Sequence, residues 1–248
     1  MLGRFISQLL KANSARMPHG REAAQTASTL NPLAEYFFDN HGRLIHKWHH
    51  YFEIYHRHFS AFRGASPVVV EIGVWHGGSL QMWRDYFGPG SHIVGIDNNP
   101  QCLKFEEEDI TILIGDQGDR EFLASVRSRV PRIDILIDDG GHKMAQQIAT
   151  FEVLYPHIQP HGIYLCEDVH TSFWAEYGGG GRREGTYLEY SKALIDRLYG
   201  WHSLEPHLLG VTDFTESTFA LHFYDSVVVI EKRPIQSPTV SVTGTPSF

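Results

Sequence analysis

A group of carboxylates and one histidine first suggests the chemistry of this chain. Asp138 and Asp139 are followed by two glycines and His142, and a second acidic pair, Glu167 and Asp168, comes later. Asp139, Glu167 and Asp168 offer three hard oxygen ligands without a thiolate, a set that suits Mg²⁺ or a similar divalent ion. Carboxylates gathered closely repel one another unless a cation or protons intervene. These three residues are therefore candidate metal ligands.

His142 is a candidate general base because it follows Asp139 by three residues. From there its imidazole could accept a proton from a hydroxyl that the metal has acidified. Asp138 and Asp139 would point to opposite faces of a strand, so either could be the metal ligand. Asp138 could instead contact a cofactor or accept hydrogen bonds from a backbone turn, and His142 could simply begin a helix.

A glycine-containing turn at residues 71–79 marks a second candidate site. A dinucleotide fingerprint needs glycine where this chain has Trp75, and the Gly-Lys-Ser/Thr ending of a phosphate loop is absent. Asp97 lies about 20 residues further on, where an acidic side chain can bind two ribose hydroxyls. Asp116 is placed to accept a hydrogen bond from an adenine amino group, whereas Ser79 could also cap a helix. The candidate cofactor-binding residues are Glu71, Gly73, Ser79, Asp97, Asp116, Gln117 and Asp138.

Strand-like apolar runs alternate with helical segments after residue 66, and these elements must position the candidate residues. The predicted strands cover 67–73, 92–97, 110–116, 133–139 and 162–168, and the predicted helices cover about 79–86, 119–128, 144–155 and 187–199. Residues 217–225 and 226–232 predict an antiparallel hairpin. Apolar strands that alternate with helices indicate a parallel sheet covered on both faces. Because ligands bind outside the carboxyl ends of such strands, we expect the acidic residues along one edge of the sheet.

The glycine turn, the two spaced aspartates and the terminal hairpin together resemble class I S-adenosylmethionine-dependent methyltransferases over about residues 65–232. The resemblance implies an α/β fold with an open, doubly wound, mostly parallel seven-stranded sheet that ends in an antiparallel hairpin. It also implies that the cofactor is S-adenosylmethionine, bound by the candidate cofactor residues named above.

Three longer runs narrow the resemblance. EIGVWHGGSLQMWRDYF, DDGGH and EDVHTSFWAEYGGG are similar to runs of the metal-dependent O-methyltransferases that act on sugar hydroxyls of macrolides and other glycosylated natural products. The resemblance implies that Asp139, Glu167 and Asp168 hold Mg²⁺. It also implies that His142 is the base, where the similarly arranged catechol O-methyltransferases have Lys. The candidate substrate contacts, which follow the acidic pair, are His170, Trp174 and Tyr177.

Composition and charge limit the function classes. The chain has 248 residues, with 21 Lys and Arg, 29 Asp and Glu and a formal net charge of −8, which argues against a protein built to hold nucleic acid. Its two cysteines do not indicate a disulfide framework, although a single disulfide is open to them. No apolar run reaches the roughly 18 residues of a membrane helix. We therefore expect a cytoplasmic protein.

The chain is expected to have three parts. Residues 1–62 predict an N-terminal helical leader or cap, residues 63–233 the S-adenosylmethionine-binding domain, and residues 234–248 a disordered tail rich in Pro, Ser and Thr. The first residues could form a transit peptide or a membrane-touching helix, but a frayed or locally docked helix is the expectation. Aromatic residues with helical spacing lie further along the leader, at Trp48, Tyr51, Phe52, Tyr55 and Phe59.

The sequence therefore predicts an S-adenosylmethionine- and Mg²⁺-dependent O-methyltransferase that methylates a sugar hydroxyl of a glycoside or saccharide, in natural-product or polysaccharide biosynthesis. Catechol or phenol methylation is the alternative within this chemistry. A non-catalytic binding module and a nicotinamide oxidoreductase are alternatives of other classes, and Trp75 argues against the second. We expect a saccharide or small-molecule acceptor, no nucleic-acid partner and no stable membrane insertion. The sequence leaves a homo-oligomer open.

Overall fold

Five short apolar runs form the parallel part of a seven-stranded sheet in the computed structural model, which describes residues 31–248. The strands are β1 (Val68–Ile72), β2 (His92–Asp97), β3 (Ile110–Ile114), β4 (Ile133–Asp138), β5 (Ile158–Cys166), β6 (Thr218–Tyr224) and β7 (Val227–Lys232). Their order is β3-β2-β1-β4-β5-β7-β6, and β7 is antiparallel to both of its neighbours. This topology confirms the predicted α/β fold with a terminal antiparallel hairpin.

Helices connect the strands and cover both faces of the sheet. They are α1 (Pro32–Phe38), α2 (Tyr51–Phe59), α3 (Gly78–Phe87), α4 (Arg120–Arg129), α5 (Met144–Leu154), α6 (Tyr187–Leu198) and α7 (Asp213–Ser217). Side-chain caps begin four of them, because a side-chain oxygen accepts a hydrogen bond from a first-turn amide. The capping residues of α1, α4, α6 and α7 are Asn31, Asp119, Thr186 and Thr212. The short helix α7 was not predicted, and β5 begins at Ile158 rather than at residue 162.

The central strands are mostly apolar because both faces of the sheet are covered. Alternate residues of β4 point to opposite faces. Ile135 lies in a buried cluster with Trp83 of α3, whereas Leu136 lies in a second cluster with Phe151 of α5. Asp138 is two residues beyond Leu136 and shares its face, and Asp139 follows the end of the strand.

Part of the predicted leader packs against the sheet. Tyr51, Tyr55 and Phe59 of α2 are fully buried in the same cluster as Val69 of β1 and Ile135 of β4. The helical spacing of these aromatic residues therefore reflects a buried helix face that contributes to the core. The leader's residues 1–30 lie outside the described residues. The predicted tail, residues 234–248, contains no helix or strand.

The described residues also bear on the expectations about the cysteines and about membrane-spanning helices. Cys102 and Cys166 are both buried, and both are free thiols. None of the helices within residues 31–248 has the length and apolar character needed to span a membrane.

Gly73, the residue after β1, allows two strand ends to come together. Its φ angle is +100°, a value that side chains other than hydrogen rarely tolerate. A Cβ atom added there would overlap the carbonyl oxygen of Asp139, the residue after β4. The amide of Asp139 also donates to the carbonyl of Ile72 at 3.0 Å. Glycine is thus required where the loop after β1 crosses the loop after β4.

Gly73→Ala is expected to destabilise the protein more than Gly88→Ala. Both glycines have positive φ angles, +100° and +83°, so each alanine costs roughly 1–2 kcal/mol of backbone strain. Only the first substitution adds a clash, because a Cβ at Gly88 meets no atom within 4 Å. Urea denaturation of the two variants compares their free energies of unfolding. Equal losses of unfolding free energy in the two variants would contradict the requirement that the loops after β1 and β4 approach closely at Gly73.

Candidate active site

A cavity of about 990 Å³ opens at the carboxyl edge of the sheet. Each parallel strand contributes a residue at or just after its end to the lining, namely Gly73, Asp97, Asp116, Asp139 and Glu167. Strands that run in the same direction end on the same edge, so residues far apart in sequence meet there. The structure thus places both predicted sites around a single cavity.

Asp97 at the end of β2 holds the glycine turn in place. Its Oδ2 atom accepts hydrogen bonds from the amides of Val74 and Trp75 at 2.9 and 3.1 Å, and its Oδ1 atom accepts from the amide of Asn99 at 2.9 Å. Each carboxylate oxygen can accept more than one hydrogen bond. The carboxylate therefore shapes the turn and retains acceptor capacity toward the cavity that it lines.

Gln117 and Asp138 support the loop that contains His142. The amide nitrogen of Gln117 donates to Asp138 Oδ1 at 2.6 Å and to the Thr150 hydroxyl at 3.0 Å, and its oxygen accepts from the amide of Gly141 at 2.9 Å. Asp138 is wholly buried, and burial raises its pKa to about 6. Both side chains are therefore bonded within the protein. Asp116 also makes a local bond, accepting from the amide of Gly118 at 2.7 Å.

Some of the candidate cofactor residues line the cavity, and others are buried behind it. Glu71 is wholly buried and accepts hydrogen bonds from the Ser79 hydroxyl at 2.6 Å and the Trp83 indole at 3.0 Å. Its contacts tie β1 to the first turns of α3. The lining of the cavity includes Gly73, Ser79, Asp97, Asp116 and Gln117, whereas Glu71 and Asp138 are not among the lining residues.

Asp139, His142 and Asp168 converge on one side of the cavity. One potential ligand atom from each lies within 4.8 Å of the other two. His142 Nε2 is 3.6 Å from Asp168 Oδ2 and 3.9 Å from Asp139 Oδ1. Asp168 is buried, but its charge is supported, because His142 and a hydrogen bond from Tyr51 outweigh burial and lower its pKa. This side of the cavity therefore favours an ionised carboxylate beside an imidazole.

Unusual backbone geometry and one buried hydroxyl position these groups. His142 and Asp168 have φ angles of +53° and +52°, in the left-handed region that non-glycine residues rarely adopt. The Thr171 hydroxyl, which is fully buried, lies 3.0 Å from the carbonyl oxygen of His142 and 2.8 Å from that of Asp168. Such strain costs of order 1–3 kcal/mol per residue and persists only where surrounding contacts impose it. Thr171 supplies such a contact to both residues.

Lys47 lies at the centre of the site but was not among the residues that the sequence analysis named. Its ammonium group is 2.5 Å from Asp139 Oδ2, 2.9 Å from Glu167 Oε1 and 3.5 Å from Glu71 Oε1, and its side chain is only 2% exposed. Burial alone lowers its pKa, but the surrounding carboxylates outweigh burial and hold the pKa well above its usual value. The only sequence signal for this residue was indirect, since so many buried carboxylates require a cation.

Two tyrosines of α2 donate to the second acidic pair. The Tyr55 hydroxyl donates to Glu167 Oε1 at 2.7 Å, and the Tyr51 hydroxyl donates to Asp168 Oδ1 at 2.8 Å. Residues four apart lie on the same helix face, so one helix can serve two successive carboxylates. The aromatic spacing predicted a buried helix but not these hydrogen bonds.

The charge balance of the site fits a divalent cation. Four carboxyl groups, those of Glu71, Asp139, Glu167 and Asp168, surround the ammonium group of Lys47. Burial raises the pKa of Glu71 and of Glu167, so these groups need a nearby cation to stay ionised. Hard oxygen donors of this kind suit Mg²⁺ or a similar ion. The arrangement of Asp139 and Asp168 with His142 leaves oxygen ligands and an imidazole facing a cavity large enough for a cofactor and an acceptor.

The three candidate substrate contacts differ in their access to the cavity. Tyr177 is part of the lining, and its ring centroid is 6.5 Å from that of His142. His170 approaches the Ser226 hydroxyl at 3.0 Å through Nδ1, and its ring meets Trp174 edge-on at a centroid distance of 4.8 Å. His170 and Trp174 are not among the lining residues. Tyr177 is therefore the candidate with direct access to a bound acceptor.

Lys47→Met is expected to destabilise the protein by about 3–5 kcal/mol in metal-free buffer, because it leaves buried carboxylates without their cation. Lys192→Met is the matched control. Lys192 pairs with Glu189 at 2.7 Å, but its side chain is 46% exposed, and such pairs contribute about 0–1 kcal/mol. Urea denaturation followed by circular dichroism measures both. Similar small losses would contradict a stabilising role for Lys47.

Comparisons with known proteins show that this chain is similar to methyltransferases. Residues 70–169 match the family model described as a methyltransferase domain. The mycinamicin VI 2''-O-methyltransferase of Micromonospora griseorubida is 36% identical over 192 residues, which are 72% of this chain and 47% of that protein. The 8-demethyl-8-alpha-L-rhamnosyl tetracenomycin-C 2'-O-methyltransferase of Streptomyces olivaceus is 34% identical over 75% of this chain and 52% of that protein. The chain thus spans about half the length of these curated relatives.

A solved structure extends the similarity to three dimensions. The MycE methyltransferase of the mycinamycin biosynthetic pathway, in complex with Mg and SAH, matches with a TM-score of 0.73 and 33% identity. The match covers 82% of this chain and 54% of that one. This chain therefore contains a methyltransferase domain with the class I fold, similar in sequence and structure to the methyltransferases named above.

Proposed function

We propose that this chain is an S-adenosylmethionine- and Mg²⁺-dependent O-methyltransferase whose acceptor is a sugar hydroxyl. The observation that carries the proposal is the convergence of Asp139, His142 and Asp168 beside the cofactor-type cavity of a class I fold. The sugar acceptor is supported by the relatives named above. It is also supported by a MycE structure in complex with Mg, SAH and mycinamycin VI, which is 29% identical with a TM-score of 0.72.

Asp139, Glu167 and Asp168 are the proposed metal ligands. A bound divalent ion supplies Lewis acidity that lowers the pKa of an acceptor hydroxyl. Asp139 is preferred to its neighbour Asp138 because Asp139 lines the cavity and its side chain is 21% exposed, whereas Asp138 is wholly buried and bonded to Gln117. Glu167 lines the same cavity and accepts hydrogen bonds from Lys47 and Tyr55, but it lies outside the group of converging ligand atoms formed by Asp139, His142 and Asp168.

His142 is the proposed general base. Its Nε2 atom would accept the proton of the acceptor hydroxyl, and the carboxylates of Asp168 and Asp139, at 3.6 and 3.9 Å, would stabilise the resulting imidazolium. Thr171 holds the backbone of His142 and Asp168, so it fixes the direction from which the proton is taken. Fixing the acceptor oxygen in line with the methyl carbon, at about 3 Å, supplies much of the remaining rate enhancement.

The cofactor is proposed to occupy the half of the cavity formed by the first three strand ends. Asp97 would accept from the ribose hydroxyls and Asp116 from the adenine amino group, each with oxygen lone pairs left by its local bonds. Gly73 allows close approach to the backbone. Trp75 stands where a dinucleotide fingerprint has glycine, which disfavours the nicotinamide alternative.

An acceptor screen with labelled S-adenosylmethionine tests the proposal as a whole. It compares free sugars, nucleotide sugars, glycosides and catechols, each with Mg²⁺ and with chelator. We expect label transfer to saccharide hydroxyls that disappears with chelator and returns with Mg²⁺. Transfer only to catechols would favour the phenolic alternative, and tight binding of NAD without binding of S-adenosylmethionine would exclude methyl transfer.

His142→Gln is expected to lower turnover by about 10²- to 10⁴-fold, because it removes the group that accepts the proton. Affinity for S-adenosylmethionine, measured by calorimetry, should remain unchanged. His207→Gln is the control, since His207 is exposed and is not among the residues that line the cavity. Unchanged turnover in His142→Gln would remove this residue as the base.

Asp139→Asn is expected to weaken Mg²⁺ binding, because it replaces an anionic ligand by a neutral one. Calorimetric titration with Mg²⁺ measures this directly, and the Mg²⁺ dependence of turnover should shift to higher concentration. Asp138→Asn is the comparison one residue away. If the loss of Mg²⁺ affinity were confined to Asp138→Asn, the proposed ligand would move by one position.

A further inference from the structure

A second group of metal-type ligands lies at the other end of α2, against the terminal hairpin. His58 belongs to the last turn of α2, His222 to β6 and Glu231 to β7. One potential ligand atom from each lies within 4.8 Å of the other two. None of the three is among the residues that line the cavity. Three elements that are distant in sequence thus bring two imidazoles and a carboxylate together.

The spacing of the donor atoms resembles that of a tetrahedral metal site. Glu231 Oε1 is 2.9 Å from His222 Nε2 and 3.3 Å from His58 Nδ1. Bonds of about 2.0–2.1 Å in a tetrahedron place neighbouring ligand atoms about 3.3 Å apart. The carboxylate oxygen therefore already stands at nearly that distance from both nitrogens.

Tyr224 orients the imidazole of His58 and lies beside that of His222. Its hydroxyl lies 2.9 Å from His58 Nε2, so the other nitrogen of His58, Nδ1, faces Glu231. The His222 ring is nearly parallel to the Tyr224 ring, with an interplanar angle of 12°. A histidine that ligates metal through one nitrogen commonly donates its other N–H to an oxygen that fixes the ring. Tyr224 provides that oxygen to His58.

His58 is 8% exposed, so one of the two imidazoles is largely shielded from water. The centroids of the His58 and His222 rings are 4.7 Å apart. A cation bound between the two rings and the Glu231 carboxylate would contact all three side chains.

We propose that His58, His222 and Glu231 form a site for Zn²⁺ or a similar transition metal, separate from the proposed Mg²⁺ site. Two nitrogens and one oxygen favour zinc over magnesium, which prefers all-oxygen ligands. The bound ion would join the end of α2 to β6 and β7. The ion would thereby stabilise the helix whose Tyr51 and Tyr55 hydroxyls donate to Asp168 and Glu167.

Titration of the full chain with Co²⁺, in excess Mg²⁺ to occupy the first site, tests this proposal. We expect visible absorption bands of tetrahedral Co²⁺ that saturate at one equivalent and are abolished by Zn²⁺. His222→Ala and Glu231→Gln should each weaken binding at least about tenfold, whereas the exposed His207→Ala should not change it. Absence of these bands in the unsubstituted chain, or unchanged titration in both ligand variants, would overturn the proposal.

Thermal unfolding provides the second measurement. Zn²⁺ should raise the melting temperature of the unsubstituted chain and of Asp139→Asn but not that of His222→Ala. His222 is partly exposed, so circular dichroism is expected to show that His222→Ala folds. If the Zn²⁺ response were lost in Asp139→Asn and kept in His222→Ala, the ion would bind in the cavity and the proposed site would be wrong. Neither measurement depends on methyl transfer.

Discussion

A buried ammonium group among carboxylates is the interaction on which the rest of this site depends. Parallel strands collect their carboxyl ends on one edge, so a chain with acidic residues after successive strands concentrates negative charge there. Lys47 reduces that repulsion by contacting Asp139, Glu167 and Glu71 at once. Because these groups are desolvated, their attraction is far stronger than between charges in water. The carboxyl groups still outnumber this one cation, which makes the edge suitable for a divalent ion.

Helix α2 connects this charge cluster to the rest of the fold. One of its faces is buried in the core, and the hydroxyls of Tyr51 and Tyr55 extend from that face to the second acidic pair. Its last turn places His58 beside the terminal hairpin. A change at either end of the helix can therefore alter how the carboxylates are held. The helix lies in the segment that the sequence predicted as a leader, but its packing makes it part of the sheet domain.

Much of the fold and several candidate site residues could be predicted from the sequence. The apolar runs placed β1 to β4 within a few residues, because buried parallel strands consist mostly of apolar side chains. Asp139 and Glu167 stand at the ends of such runs, so the sequence predicted them at strand ends, and both line the cavity. Lys47 was not found, since it is 92 positions from Asp139 and 120 from Glu167 and no local pattern links them.

By itself, the sequence determined the order of strands and helices, the edge of the sheet that carries acidic groups, and the candidates for base and metal ligands. These follow from periodicity and strand direction, which are local properties of the chain. Only the tertiary structure decided that Asp138 is buried and bonded to Gln117 while Asp139 faces the cavity, and that Lys47 lies among the carboxylates. Such contacts depend on which distant segments pack together, and burial then determines which charges must be paired.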